Sequence, residues 1–74
     1  MLRVRLVHGT RQLFSGTAAE VILPGEAGEV TVLDFHAPML CTLARGNIQI
    51  DGARFPIRRG IARVERNAVT IVTR

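Results

Sequence analysis

Asn47-Ile48-Gln49-Ile50-Asp51-Gly52-Ala53-Arg54-Phe55-Pro56-Ile57 contains both of the signals that decide the fold. Ile48 and Ile50 alternate with polar residues at the period of a half-buried strand, and Phe55 and Ile57 share a face on the far side of the turn. Between the two runs stands Asp51-Gly52, a pair that tolerates the positive φ angles of a two-residue hairpin. The segment predicts two antiparallel strands, over residues 47–51 and 53–58, that turn their apolar side chains to a core.

The same period recurs outward in both directions. Leu2, Val4 and Leu6 alternate with Arg3 and Arg5, which predicts a first strand over 2–7. His8-Gly9-Thr10 breaks that run, and residues 12–16 form a second short strand or bend that ends at Gly16. Residues 17–23 carry Val21, Ile22 and Leu23 into Pro24-Gly25, a turn signal expected to stop pairing. Short strands follow over 29–33 and 39–43. A last hairpin joins 60–65 to 68–73 through Arg66-Asn67. No segment repeats with helical period, and no linker divides the chain. The reading is all-β: one domain over residues 1–74, a small two-sheet β-sandwich or flattened barrel of about eight to ten short strands. Its two inner faces must pack together, because one sheet of this size could not bury enough apolar surface.

Composition narrows the function. A chain of 74 residues lies near the lower size limit for a single unstapled core, so its net stability is expected to be modest. The single cysteine, Cys41, excludes an internal disulfide, and no Cys/His array has zinc spacing, so no metal site is expected. No apolar run is long enough to span a bilayer. The strand pattern begins at Leu2, and no leader peptide is expected. All ten basic residues are arginine, and the formal charge of +4 favours anionic partners without identifying one.

Candidate chemistry is sparse. His36 and Cys41 are the only pair that suggests a thiol nucleophile, but five extended residues separate them by roughly 16 Å at ~3.3 Å per residue. Cys41 therefore reads as a structural thiol and His36-Ala37-Pro38 as a corner locked by its imidazole. Gly25-Glu26-Ala27-Gly28 has the look of a phosphate loop. Its two flanking acids, Glu26 and Glu29, would repel phosphate, and a strand pattern follows instead of a helix. A protein-contact loop fits better. Arg54, Arg58, Arg59, Arg63 and Arg66 concentrate charge near the carboxyl end and raise the alternative of a small β-barrel nucleic-acid-binding module. Such modules interleave stacking aromatics with their basic residues, and this chain has only Phe14, Phe35 and Phe55.

The run from Pro24 to Leu40, with a Gly-x-x-Gly-Glu loop, a short strand and His-Ala-Pro, resembles the signature of the epsilon subunit of rotary F-type ATP synthases. Leu13-Phe14-Ser15-Gly16 and the segment from Gly60 to Val72 extend the resemblance over nearly the whole chain. It implies a β-sandwich of about ten short strands in a non-catalytic subunit of the central stalk, without cofactor. Glu26, Gly28 and Glu29 would then face the ring of c subunits, and His36, Ala37, Met39 and Cys41 the gamma subunit. The implied place is peripheral, on the cytoplasmic face of a bacterial or archaeal inner membrane, and a homodimer of the isolated chain is open. The resemblance also has departures. Thr31 stands where glycine is common, Asp34-Phe35 where Pro-Gly is common before the histidine, and Arg59-Gly60 where Gly-Gly is common. The sequence given stops at Arg74, short of the two carboxyl-terminal helices of typical members, so their inhibitory and ATP-binding roles are not expected of it.

Overall fold

The computed structural model describes residues 1–74. Nine strands account for about three quarters of them: β1 (Leu2–His8), β2 (Arg11–Ala18), β3 (Glu20–Gly25), β4 (Gly28–Leu33), β5 (Met39–Leu43), β6 (Gly46–Ile50), β7 (Ala53–Ile57), β8 (Gly60–Glu65) and β9 (Ala68–Thr73). Hydrogen bonds link them in the order β2-β1-β9-β8-β5-β3-β6-β7, with β4 on the free side of β3. The link between β5 and β3 is a single pair, Gly25 opposite Leu43. The path therefore folds there into two layers, β2-β1-β9-β8-β5 and β4-β3-β6-β7, which is the sandwich or flattened barrel that alternation predicts.

The buried apolar residues of the strands face the space between these layers. Leu2, Val4 and Leu6 of β1 meet Val69 and Ile71 of β9 and Ala62 and Val64 of β8, and all are buried. Val21 and Leu23 of β3, Val32 of β4, Ile48 and Ile50 of β6 and Ile57 of β7 close the core from the other layer. Each fully buried aliphatic side chain contributes about 1.5–3 kcal/mol relative to exposure. Phe55 is half-buried; its ring meets Phe14 edge-on, with centroids 6.1 Å apart and planes at 68°, and both pack against the core.

Three local expectations need correction. Pro24-Gly25 does not stop pairing: Pro24 lies opposite Glu29 and Gly25 opposite Gly28, so the turn is Glu26-Ala27. Proline is tolerated because β3 changes partner there. Val21 and Ile22 pair with β6 and Gly25 with β5, so Pro24 lies in the gap where no ladder requires its missing N–H. Its carbonyl is still used, accepting from Ala44 N at 2.8 Å. Residues 17–23 likewise do not form one strand, because the chain bends at Ala19. The Asp51 carboxylate accepts from Ala19 N at 3.0 and 3.1 Å and from Glu20 N at 3.0 Å, fixing the corner where the chain crosses between layers. The second strand is longer than expected, Arg11–Ala18, since an edge strand this exposed shows no apolar alternation.

Candidate partner-binding surfaces

The loop read as ring-facing is a two-residue turn at one end of the sandwich. Glu26 N donates to Thr42 O at 3.0 Å, which ties the turn to β5. Gly28 adopts φ +134°, a conformation that side chains rarely take. A Cβ at Gly25 would lie 2.6 Å from Gly28 O and 3.2 Å from Cys41 Sγ, so glycine lets the loop close over β5. Glu26, Gly28 and Glu29 are all exposed, and neither glutamate is in an ion pair. The structure places these three at one acidic turn, where Glu26 also lines a depression with Arg59 and Arg74.

The gamma-facing candidates do not form one patch. β4 runs from the loop to the far end of the sandwich, where Asp34-Phe35 turns the chain into His36-Ala37-Pro38. His36 N donates to Leu33 O at 3.1 Å, and His36 Nδ1 lies 2.7 Å from Ala37 O, a carbonyl that can only accept, so Nδ1 carries the proton. Met39 and Cys41 are on β5 with their side chains turned inward against the core, each half-buried. The Cys41 thiol is 3.7 Å from Thr42 O and the His36 ring is engaged at the corner; the two share no contact. Period 2 presents Leu40 and Thr42 instead. Register aligns Leu40 with Arg63, and Thr42 with Ile61 and Val72, across the outer face of β5, β8 and β9. Leu40 is 73 % exposed, Ile61 52 % and Val72 47 %, apolar residues in two adjacent rows of one outer face that the loop signature does not reveal.

Asn67 is the other residue that the sequence undersold. It lies in the Arg66-Asn67 turn, where both residues have positive φ, +51° and +57°. Its side-chain oxygen accepts from Phe35 N at 2.8 Å, and its nitrogen donates to Met1 O at 3.0 Å and Asp34 Oδ1 at 3.1 Å. The Met1 amino group adds an ion pair with Asp34 Oδ1 at 3.2 Å. The Asn67 hydrogen bond first, and that amino group second, hold the Asp34 carboxyl below its ordinary 3.8. This network sustains a costly conformation: Phe35 has φ +63° and is 87 % exposed. A left-handed backbone at such a residue costs about 1–2 kcal/mol.

The five arginines that suggested a nucleic-acid face are dispersed. Arg63 is on the outer face of β8, paired with Glu65 at 3.0 Å. Arg66 is in the β8–β9 turn and Arg54 near the same end on β7, whereas Arg58 and Arg59 lie at the opposite end.

A family model described as the ATP synthase, Delta/Epsilon chain, beta-sandwich domain matches residues 1–74. The chain belongs to this family. The chloroplastic ATP synthase epsilon chain of Trieres chinensis is 40% identical over 76 aligned positions, covering 97% of this chain and 57% of that protein. Two solved structures share the fold. The cryo-EM structure of the Euglena gracilis mitochondrial ATP synthase, with OSCP, F1 and c-ring in rotational state 1, contains a chain of 23% identity. It superposes with a TM-score of 0.88 and covers 97% of this chain and 49% of that one. The central stalk and c-ring structure of the Tetrahymena thermophila mitochondrial ATP synthase contains another, at 14% identity and TM-score 0.80, covering 97% of this chain and 62% of its counterpart. This delta/epsilon β-sandwich thus spans about half the length of the relatives it matches.

Proposed function

We propose that this chain acts as the β-sandwich part of a non-catalytic rotor subunit in the central stalk of an ion-translocating F-type ATP synthase. It would couple ion flow to ATP synthesis or hydrolysis by holding gamma to the ring of c subunits. The observation that carries this reading is the family match over all of residues 1–74. The acidic tip at one end of a closed sandwich supports it, because a coupling body needs stiffness and contact patches. Glu26, Gly28 and Glu29 are the proposed ring contact, with Glu29 foremost. Gamma is proposed to meet His36 and Ala37 at the corner, and β5 at Met39 and Cys41. The outer-face neighbours Leu40, Ile61 and Val72 supply the exposed apolar area that such a contact uses. The place proposed is peripheral, on the cytoplasmic face of a bacterial or archaeal inner membrane, and the isolated chain is proposed to self-associate through the surface that gamma covers.

Two experiments test this. Co-expression with gamma from the same genome is expected to give a stable one-to-one complex on sizing; separate elution of the two chains would end the reading. Glu29→Arg in a reconstituted enzyme is expected to leave the domain folded and to weaken ATP-driven ion pumping by about tenfold or less, the scale of one exposed charge contact. Unchanged pumping would remove Glu29 from the interface.

A further inference from the structure

Where β1, β5, β7 and β9 finish, His8, Arg45, Pro56, Ile57, Arg58 and Arg74 enclose a concave depression. Three of these six residues carry guanidinium groups, and no aspartate or glutamate is among them. They arrive from distant parts of the chain: the β5–β6 link, the β7–β8 link and the residue after β9. Backbone hydrogen bonds fix the frame on which they stand. Ala44 N donates to Pro24 O at 2.8 Å, Arg74 N to Arg59 O at 3.1 Å, and Gly9 N to Thr73 O at 3.2 Å. The His8 ring is held as one wall, with Nδ1 3.0 Å from Thr73 Oγ1.

No side chain forms an ion pair with the arginines of this depression. The two ion pairs of the protein, Arg63 with Glu65 and the Met1 amino group with Asp34, lie elsewhere, and the side chains of Arg45, Arg58 and Arg74 make no hydrogen bond. A neighbouring depression that shares Arg74 differs in this respect, since it sets Glu26 in the same wall as Arg59. Like charges gathered without acidic side chains in a concavity focus the local potential and raise the local concentration of anions. The planar guanidinium fork matches phosphate oxygens in paired geometry. One carboxylate can satisfy a single fork, whereas several forks lining one depression suit a group that presents oxygens in several directions.

We propose that this depression is a binding site for a phosphate-bearing anion, with Arg45, Arg58 and Arg74 as its donors. The chemistry is shared by a free oligophosphate and by the headgroup of an anionic phospholipid. The proposal stands on charge and shape at this end and does not depend on the stalk reading.

The test is titration of the isotopically labelled full chain with inorganic pyrophosphate, at ionic strength near ~0.1 M, followed through its amide resonances. In parallel the chain is sedimented with vesicles of phosphatidylglycerol and phosphatidylcholine, and with phosphatidylcholine alone. The expected result is a saturable response centred on His8, Arg45, Arg58 and Arg74. Arg45→Gln with Arg58→Gln is expected to lower affinity by about tenfold or more, as loss of two charge-assisted donors requires. Arg5→Gln with Arg63→Gln removes equal charge from the outer face and is expected to stay within about twofold. All four arginines are exposed, so both double variants should fold, and thermal unfolding checks this. Saturation by pyrophosphate identifies a free phosphate ligand. Sedimentation confined to phosphatidylglycerol vesicles and lost in the first double variant identifies a lipid phosphate. Equal losses in the two double variants, or no saturable response to either probe, would overturn the proposal.

Discussion

The two ends of this sandwich treat polar side chains in opposite ways. At the end that holds the β4–β5 corner, the β6–β7 turn and the β8–β9 turn, carboxylates and amides are turned inward on the backbone. Asp51 accepts from the amides of Ala19 and Glu20, and Asn67 binds Phe35, Met1 and Asp34 at once. At the other end, His8 meets Thr73, but Arg45, Arg58, Arg59 and Arg74 make no side-chain hydrogen bond, and Glu26 stands free at the loop tip. That end is held mainly by backbone bonds, from Glu26 N, Gly9 N, Ala44 N and Arg74 N, with the Thr73 hydroxyl, which meets His8 and donates to Val7 O, as its side-chain tie. The difference separates structure from availability: side chains at the first end are committed to closing the fold, and those at the second can meet another molecule without any loss inside this one.

The largest effect that could break this contrast is at Asn67. Asn67→Ala removes three hydrogen bonds and a residue suited to φ +57°. At about 1 kcal/mol for each bond it is expected to destabilise the fold by about 2–3 kcal/mol. For a domain of this size that lowers the midpoint of thermal unfolding by about 10–20 °C. Asn67→Gly keeps the backbone angle and loses only the side-chain contacts, so the two variants together divide strain from bonding. A fall of less than a few degrees in both would mean that this end is not tied as described.

Asp51 comes next. Asp51→Ala abolishes the charge-assisted acceptor for Ala19 N and Glu20 N and places alanine at φ +47°, for an expected cost of about 2 kcal/mol by chemical denaturation. Asp51→Asn keeps an acceptor and tolerates the same angle, so its cost should be clearly smaller. Equal costs would show that the negative charge, which alanine and asparagine both lack, and not the turn conformation, is what Asp51 supplies.

Asp34 gives a smaller and pH-dependent effect. Its folded carboxyl titrates below 3.8, so its contribution to stability is fully present above that value. The contribution is lost as pH falls through the lower folded value. Asp34→Asn removes the titration, and the stability of the variant should decline less steeply than that of the natural chain below pH 3.8. Parallel acid limbs would break the assignment of Asp34 to the tied end.

How much of this contrast can be read from the sequence depends on distance along the chain. Alternation at Leu2, Val4 and Leu6, and again at Ile48 and Ile50, identifies strands and their buried faces, because period 2 is a local property. Asp51-Gly52 and Arg66-Asn67 are legible as turns for the same reason. That β1 pairs in parallel with β9, or that β3 changes partner at Pro24, is not legible, since alternation says which face is buried and nothing about the neighbour. The loop Glu26-Ala27 is legible as a tip. The inward turn of Met39 and Cys41 follows from period 2 once Leu43 is placed in the core, and the signature alone obscures it. Arg45, Arg58 and Arg74 are invisible as a group, because only the closed topology brings three separate connections to one end.

The smallest expected effect is the one that makes the contrast complete. Arg45→Gln and Arg58→Gln remove two exposed charges that have no intramolecular partner, so each should change stability by less than about 0.5 kcal/mol. Together they also relieve repulsion between like charges gathered on one concavity, and the sign of any change should be stabilising. Raising the salt concentration screens that repulsion, so the difference between the double variant and the natural chain should shrink as salt is added. A loss of about 1 kcal/mol or more in equilibrium unfolding would mean that these arginines hold the fold together, and the two ends would then differ only in which groups do the holding. Neutral or slightly stabilising substitutions would instead mean that the fold gains nothing from this charge, which leaves these side chains free to meet another molecule.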